Sequence, residues 1–223
     1  MDVKDIASTY PRLYHMAEEG SWESIKRHGL LSTRSLVDLF QVGEPDRSEI
    51  LSKRRPTSRT LTHPTYGSAV VRDQIPLSET RLEACLTGMT LAEWLDVLNS
   101  RVFFWLNMKH LETLLGARAY KDSAHDVISI DTAALLERHI GDITLSPINS
   151  GATMYKPPER GSRTFLPIAE YPFAERKRAR GAQDAIIELA VDDGVRDILD
   201  VAVRVERRKA GRNEASILWE RTS

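Results

Sequence analysis

The stretch AIIELAV, residues 185–191, decides the fold, because it is an apolar run of strand length within a soluble chain. We predict that it forms a buried strand. Its only charged residue is Glu188, and glutamate is seldom buried without a partner. Glu188 therefore either faces water from a half-exposed strand or points into a cleft.

Three other segments also predict strands around the first. RVFFW, residues 101–105, is strongly apolar, and DVISID, residues 126–131, alternates apolar and polar residues. DILDVAVRVE, residues 197–206, is the last long strand predicted. Shorter strands are predicted over 12–15 and 143–145.

Capping residues predict where the helices begin and end. The predicted helices are Trp22–His28 (capped by Ser21, ended by Gly29), 34–40, 46–53, a helix from the Thr90 and Glu93 capping box through Leu98, Met108–Leu115 (ended by Gly116), and 132–139 (capped by Asp131). Residues 54–80 and 146–164 are rich in turn formers and are predicted as loops. Helices dominate the first half and strands the second. This order predicts one α+β domain over 1–223, with a helical N-terminal half and a mostly antiparallel central sheet.

The composition is that of a soluble globular protein. The 223 residues carry 31 basic and 32 acidic side chains, for a net charge of −1, and they contain no apolar run long enough to span a membrane. The first ten residues contain no apolar signal segment, so we expect a cytoplasmic protein without a membrane partner. The single cysteine, Cys85, cannot form an internal disulfide or a cysteine-based zinc site.

The charge is distributed unevenly along the chain. Residues 47–59, 156–180 and 204–212 each carry an excess of four positive charges. If the three segments share one face, that face binds phosphates. The alternative is three separate solvated surfaces.

Several well-known catalytic motifs are absent from the sequence. There is no glycine-rich dinucleotide fingerprint, no Walker loop, no HExxH and no GxSxG. The six histidines lack metal-ligand spacing on one helix, so we predict no metal site. Dehydrogenase, kinase and classical hydrolase functions therefore have no support.

Three segments, taken in order, resemble the ADP-ribosyltransferase-like superfamily, above all the DarT-type enzymes that modify DNA bases. They are Leu13-Tyr14-His15 followed by IKRHGLLS (25–32), then RVFFW (101–105), then IIELAV (186–191) followed by DDGV (192–195). The resemblance extends loosely from about residue 12 to residue 206. The whole sequence also resembles a bacterial family of unknown function.

This resemblance implies an ADP-ribosyltransferase-like fold with Glu188 and His15 as catalytic residues. It further implies an NAD site formed by Tyr14, His15, Arg55 and Phe104. An arginine from the segment after the first helices is also implied, and Arg54, Arg55, Arg59 and Arg72 all remain open for it. The nucleic-acid contacts expected from the basic residues are Arg54, Arg59, Arg160, Arg163, Arg176 and Arg178.

A fixed carboxylate suits cleavage of an N-glycosidic bond, because that reaction builds positive charge on the sugar. The leading hypothesis is a DarT-like toxin or phage-defence enzyme that transfers ADP-ribose from NAD to a nucleic-acid base. The alternative is a DNA glycosylase that excises a modified base, such as a hypermodified phage cytosine, with water and without NAD. A third hypothesis is a non-catalytic nucleotide-binding module. The turn Asn149-Ser150-Gly151 either reads a base or is a plain turn.

Overall fold

A computed structural model describes residues 3–211 and 215–222 of the chain. The strands are β1 (Arg12–Glu18), β2 (Leu30–Leu31), β3 (Arg59–His63), β4 (Gly67–Val71), β5 (Leu86–Thr87), β6 (Arg101–Trp105), β7 (Ala124–Asp131), β8 (Ile143–Ser146), β9 (Arg160–Gly161), β10 (Leu166–Pro167), β11 (Glu188–Asp192), β12 (Gly194–Val195), β13 (Ala202–Lys209) and β14 (Ser216–Glu220). The helices are α1 (Val3–Thr9), α2 (Trp22–His28), α3 (Thr33–Leu39), α4 (Asp46–Ser52), α5 (Glu79–Glu83), α6 (Leu91–Asn99), α7 (Met108–Leu115), α8 (Thr132–His139), α9 (Phe173–Arg180) and α10 (Ile198–Val201).

One eight-stranded sheet organises the molecule, in the order β10-β8-β11-β6-β1-β7-β13-β14. Its neighbouring strands all pair antiparallel. Helices outweigh strands before residue 116, and strands outweigh helices after it. The protein is therefore α+β with an antiparallel central sheet, as the sequence predicts.

Alternation along the strands buries both faces of this sheet. Leu13, Phe104 and Leu189 face the main core, to which helices α1, α8 and α10 contribute. On the opposite face, Phe103 packs with helices α5 and α6, and Tyr14 packs with helix α7. Neighbouring residues on one strand thus project from different faces of the sheet. Because Leu189 faces the main core, Glu188 projects from the opposite face.

Glycine permits a close crossing beside the central strands. The short strands β2 and β12 pair antiparallel, with Gly194 opposite Leu31. A Cβ at Gly194 would lie 2.4 Å from the carbonyl oxygen of Leu30, and one at Gly29 would lie 2.5 Å from the Cα of Arg196. Both glycines also have positive φ, 124° and 88°. Only glycine fits at either position without strain.

The predicted loop over 54–80 is wrong. Strands β3 and β4 form a hairpin there, and helix α5 begins at Glu79. The hairpin has a small core of its own against helices α3 and α4, made by Val37, Phe40, Ile50, Leu61, Ala69 and Val71. The prolines and glycines of this segment fall outside the strands or at their turn, so they punctuate the hairpin rather than prevent it.

Other boundaries also need correction. Residues 185–187 are buried or half-buried but lie outside the strand, which begins at Glu188. The first residues of the predicted strand 197–206 form helix α10 instead. Ser21 does not cap helix α2 with its side chain; the buried carboxylate of Asp126 accepts the N–H groups of Gly20 and Trp22 and holds that turn. The capping box of Thr90 and Glu93 and the cap at Asp131 are confirmed.

Candidate active site

The candidate site lies where two central strands separate. Strands β1 and β6 are neighbours in the sheet, but they pair at one register position, Tyr14 opposite Trp105. Beyond it, β1 stays with β7 and β6 stays with β11. A cavity of about 280 Å³ occupies the fork, and His15, Arg72, Trp105 and Glu188 are among the residues that line it.

A row of register partners crosses the sheet at this point. Tyr14 lies opposite Trp105, Trp105 opposite Glu188, and Glu188 opposite Ser146. Directly opposed residues of antiparallel strands project from the same face. The sheet thus fixes Glu188 beside the indole of Trp105, two strands away from Tyr14.

Glu188 is a buried carboxylate in the cavity wall. The residue is 5% exposed, and its Oε2 accepts the backbone N–H of Ser150 at 3.0 Å. Burial raises the pKa of Glu188 to about 7, against the lowering effects of Ser150 and of the positive charge of Arg160. A carboxyl group with a pKa near neutrality can both hold and release a proton at physiological pH.

His15 is neutral and has a fixed tautomer. Its Nδ1 lies 2.9 Å from the carbonyl oxygen of Phe103, so Nδ1 carries the proton and donates it. Burial lowers the pKa of His15 to about 4. Nε2 is therefore an unprotonated acceptor, suited to a hydroxyl group of a ligand.

The structure favours Arg72 among the four arginines that the sequence leaves open. Its Nη1 donates to the carbonyl of Met16 at 2.9 Å, and its guanidinium lies 4.8 Å from the ring centre of Tyr120. Nε and Nη2 are buried, and no hydrogen-bond partner for them exists among the described residues. The nearest carboxylate oxygen, of Glu18, is 3.6 Å from Nε. Two guanidinium nitrogens without a hydrogen-bond acceptor in a cavity wall suit an anionic group such as a phosphate.

Arg55 lines the cavity and is tied to the fold by its hydrogen bonds, and its predicted role in cofactor binding stays a prediction. It is 6% exposed and donates to the carbonyls of Ile50 and Arg72 and to the side chain of Asn99. These bonds tie the hairpin to helices α4 and α6. Arg54 likewise donates to the carbonyls of Leu77 and Ile75.

The two predicted aromatic contacts differ in their positions. The side chain of Phe104 is fully buried in the main core, and its ring meets His15 edge to face at 5.8 Å. Phe104 is also among the residues that line the cavity, and its predicted contact with the cofactor stays a prediction. Tyr14 is half-buried against the cluster around helix α7. Trp105 is the aromatic residue of this register row that lines the cavity.

The predicted nucleic-acid arginines do not all reach the surface. Arg160 is 2% exposed and binds backbone carbonyls, which contradicts its predicted role as a surface contact. Arg59 and Arg163 are exposed, and helix α9, with Arg176 and Arg178, has no buried residue.

The three basic segments do not form one patch of free charge. In 47–59, Arg47 and Lys53 pair with acidic side chains, and in 204–212, Arg204 and Arg207 do so. Arg212 lies outside the described residues. The basic helix α9, in contrast, lies near the cavity, because Arg180 donates to the carbonyl of Pro147, close in sequence to the cavity-lining Asn149 and Ser150.

Sequence reasoning missed two aspartates, Asp73 in the cavity wall and Asp126 outside it. Asp126 is fully buried and accepts from Arg207 as well as from the turn before helix α2. Asp73 accepts the hydroxyl of Tyr120 at 2.7 Å. The only sequence signal was an acidic residue, Asp126, at the start of the strand predicted over 126–131. Within residues 3–211 and 215–222, no group of three histidine, cysteine or acidic side chains could hold a metal ion, and no helix could cross a membrane.

Comparison with known proteins gives one match. A family model described as a family of unknown function, DUF7002, matches residues 11–202. No curated protein and no solved structure matches the chain.

Proposed function

The chain belongs to the DUF7002 family, whose function is unknown, and we propose from its cavity that it is an enzyme acting on an N-glycosidic bond. The observation that carries this proposal is Glu188, a buried carboxylate held by a backbone N–H at the wall of a cavity. Departure of a base from a sugar leaves positive charge on the ring oxygen and the anomeric carbon. A fixed carboxylate in a dry site stabilises that charge without reorganising.

The other groups in the cavity suit a nucleotide. The Nε2 of His15 accepts a hydrogen bond from a sugar hydroxyl, and the buried N–H groups of Arg72 bind a phosphate. Trp105 offers an aromatic surface in the same cavity. The ligand class that these groups suit together is a nucleotide with its glycosidic bond near Glu188.

The leading form of the activity is NAD-dependent transfer of ADP-ribose to a nucleic-acid base. Nicotinamide leaves with the electrons of the glycosidic bond, and a nitrogen of the acceptor base forms the new bond to the same carbon. The proton released by that nitrogen passes to Glu188 or to water. Such an enzyme would work in the cytoplasm as a toxin or in defence against phage.

Two observations favour a second candidate, a DNA glycosylase that uses water. Water must lose a proton as it attacks the sugar, and a carboxylate whose pKa lies near 7 is a matched base for that step. The target base leaves with the bonding electrons and takes up a proton. A cavity of about 280 Å³ is close to the lower limit of ligand sites, about 300 Å³, and so suits a single flipped nucleoside.

A mass-resolved assay separates these candidates. The protein is incubated with plain and phage-modified DNA, with and without NAD, beside Glu188→Gln and the exposed control Glu112→Gln. A gain of one ADP-ribose on DNA that needs NAD and Glu188 supports the transferase. Free base and abasic sites formed without NAD support the glycosylase. If Glu188→Gln matches the wild type in every reaction, the proposal fails and a binding module is favoured.

A further inference from the structure

Arg160 is a cation enclosed by the protein. It begins β9, which pairs in parallel with β5, and its backbone N–H donates to the carbonyl of Cys85 at 2.9 Å. Its guanidinium lies 5.9 Å from the ring centre of Trp94. Next to it, a Cβ at Gly161 would lie 2.4 Å from the carbonyl oxygen of Thr87, so the backbone here cannot shift freely. Arg160 thus extends from a rigid base.

The hydrogen bonds of the Arg160 guanidinium all go to backbone carbonyls of one loop. Nη1 donates to the carbonyl of Ser150 at 2.9 Å, Nη2 to that of Ala152 at 3.2 Å, and Nε to that of Pro158 at 3.3 Å. Among the described residues, Arg160 has no ion pair within 4 Å. Burial of a guanidinium without an ion pair is costly, and an apolar side chain of similar size would leave the three loop carbonyls without this donor. Packing alone therefore does not explain an arginine here.

Ser150 connects this loop to the carboxylate. Its carbonyl accepts from Arg160, while its N–H donates to Oε2 of Glu188 at 3.0 Å. The residue is 1% exposed, so water does not compete for either bond. The side chain of Ser150 also hydrogen-bonds to Glu188. One side chain thereby fixes the donor that orients the carboxylate.

We propose that Arg160 is a positioning residue for Glu188, and that it acts through Ser150 to hold the carboxylate in place beside the sugar. The positional part of this inference stands on the geometry alone, and its catalytic consequence rests on the proposed function. Hydrogen bonds in such a chain polarise one another, so the positive charge of Arg160 also favours the ionised carboxylate.

The coupling is measured first in the unaltered protein by NMR. The amide of Ser150 and the Nη1–H of Arg160, which donates to the Ser150 carbonyl, should both titrate with the same midpoint as the ¹³C-labelled carboxyl of Glu188. The Nη1–H of Arg55, another buried guanidinium held by a backbone carbonyl, should not follow that midpoint. If either the Ser150 amide or the Arg160 Nη1–H fails to follow Glu188, the proposal is overturned.

Variants then test the direction of the effect. Arg160→Met should raise the midpoint of Glu188 by about one pH unit. Arg160→Lys keeps the charge but lacks the planar guanidinium that donates to the three carbonyls. Its Glu188 midpoint should therefore lie between those of the wild type and Arg160→Met. In the assay, Arg160→Met should lower kcat about tenfold, leave KM nearly unchanged and move the acidic limb of the pH profile upward. Arg55→Met, the matched control, should leave the Glu188 midpoint in place.

The readouts separate the two proposals. Coupled titration without any glycosidic activity would support the positioning role and refute the proposed function. Activity that depends on Glu188, with a midpoint indifferent to Arg160→Met and Arg160→Lys, would refute the positioning role alone. If the methionine variant does not fold, the lysine variant and the unaltered protein still decide the question.

Discussion

His15 donates its Nδ1–H to the carbonyl oxygen of Phe103 at 2.9 Å, across the gap where β1 and β6 separate. This bond satisfies a strand carbonyl that has lost its neighbour in the ladder, and it fixes which nitrogen of the ring is free. Because burial holds the pKa of His15 near 4, the free nitrogen stays an acceptor at neutral pH. The fork in the sheet thus creates both the cavity and the chemical state of its histidine.

His15→Asn removes the acceptor nitrogen Nε2 but keeps a donor for the carbonyl of Phe103. An asparagine amide can still donate toward the Phe103 carbonyl, but it does not extend to the position of Nε2. We expect activity to fall by about tenfold or more, as for loss of one oriented polar contact, with the melting temperature nearly unchanged. His63→Asn, which alters a histidine of the hairpin outside the cavity, is the control. Equal rates for the two variants would contradict this role.

The protonation of Glu188 should appear in the stability of the fold. Burial raises its pKa in the folded state to about 7, from an ordinary value of 4.5. Between these values the folded protein binds more protons than the unfolded chain, so the free energy of unfolding falls as pH rises. Glu188→Gln should therefore be more stable than the wild type at pH 8 but not at pH 4.5. The difference at pH 8 should be about 3 kcal/mol at most, since one pKa unit corresponds to about 1.4 kcal/mol.

Urea unfolding at the two pH values measures this difference. Glu112→Gln, on the exposed face of helix α7, should show no such change with pH. The same stability difference between Glu188→Gln and the wild type at both pH values would mean that Glu188 is ionised in the folded state with an ordinary pKa.

The crossing of β2 and β12 should not tolerate a side chain. Gly29→Ala places a Cβ 2.5 Å from the Cα of Arg196 at a φ of 88°, and backbone atoms cannot move aside easily. We expect a loss of about 2–4 kcal/mol in the free energy of unfolding. Gly141→Ala, with nothing within 4 Å of its added Cβ, should lose much less. Equal melting temperatures for the two variants would show that the crossing can relax.

The strands and caps that sequence reasoning found are those with a strong local signal. RVFFW is β6 with the predicted bounds, and the Thr90 and Glu93 capping box opens helix α6. The hairpin β3–β4 was missed because its strands gain stability from a core shared with helices α3 and α4, which no local pattern shows. Helix α9 was missed because it buries no residue and so has no apolar stripe.

The candidate site was predictable in its carboxylate but not in its surroundings. Glu188 stands out in the sequence because a charge interrupts an apolar strand, and the structure buries it. Arg55 and Arg72 cannot be told apart by sequence, since their roles depend on which backbone carbonyls come within reach. Arg160 looks like one more surface cation in a basic segment. Its burial depends on the pairing of β9 with β5, which are more than seventy residues apart.

Arg72 should control binding of anionic ligands. Its buried Nε and Nη2 have no hydrogen-bond partner among the described residues, so a bound phosphate would satisfy them. Arg72→Gln should weaken binding of ADP-ribose, measured by calorimetry, by about tenfold or more. Arg81→Gln, an exposed arginine on helix α5, is the control. Unchanged affinity in Arg72→Gln would mean that Arg72 pairs with Glu18 and does not bind a ligand.

Helix α9 is the part of the basic segments best placed to guide a polyanion to the cavity. Its last residue, Arg180, donates to the carbonyl of Pro147, and the same loop contributes Asn149 and Ser150 to the cavity wall. None of its residues is buried, so its charges can be reversed with little effect on packing. Phosphate contacts by such side chains give binding that weakens steeply with salt.

Reversal of two of these charges, in Arg176→Glu with Arg178→Glu, should therefore weaken binding of a fluorescein-labelled oligonucleotide. We expect a loss of about tenfold in affinity and a shallower dependence on salt concentration, because fewer counterions are released on binding. Fluorescence anisotropy across a salt series measures both quantities. The matched control is Arg118→Glu with Lys121→Glu, which makes the same change of charge at exposed positions after helix α7. If both double variants lose the same affinity and the same salt slope, the effect belongs to net charge, and helix α9 has no special part in binding.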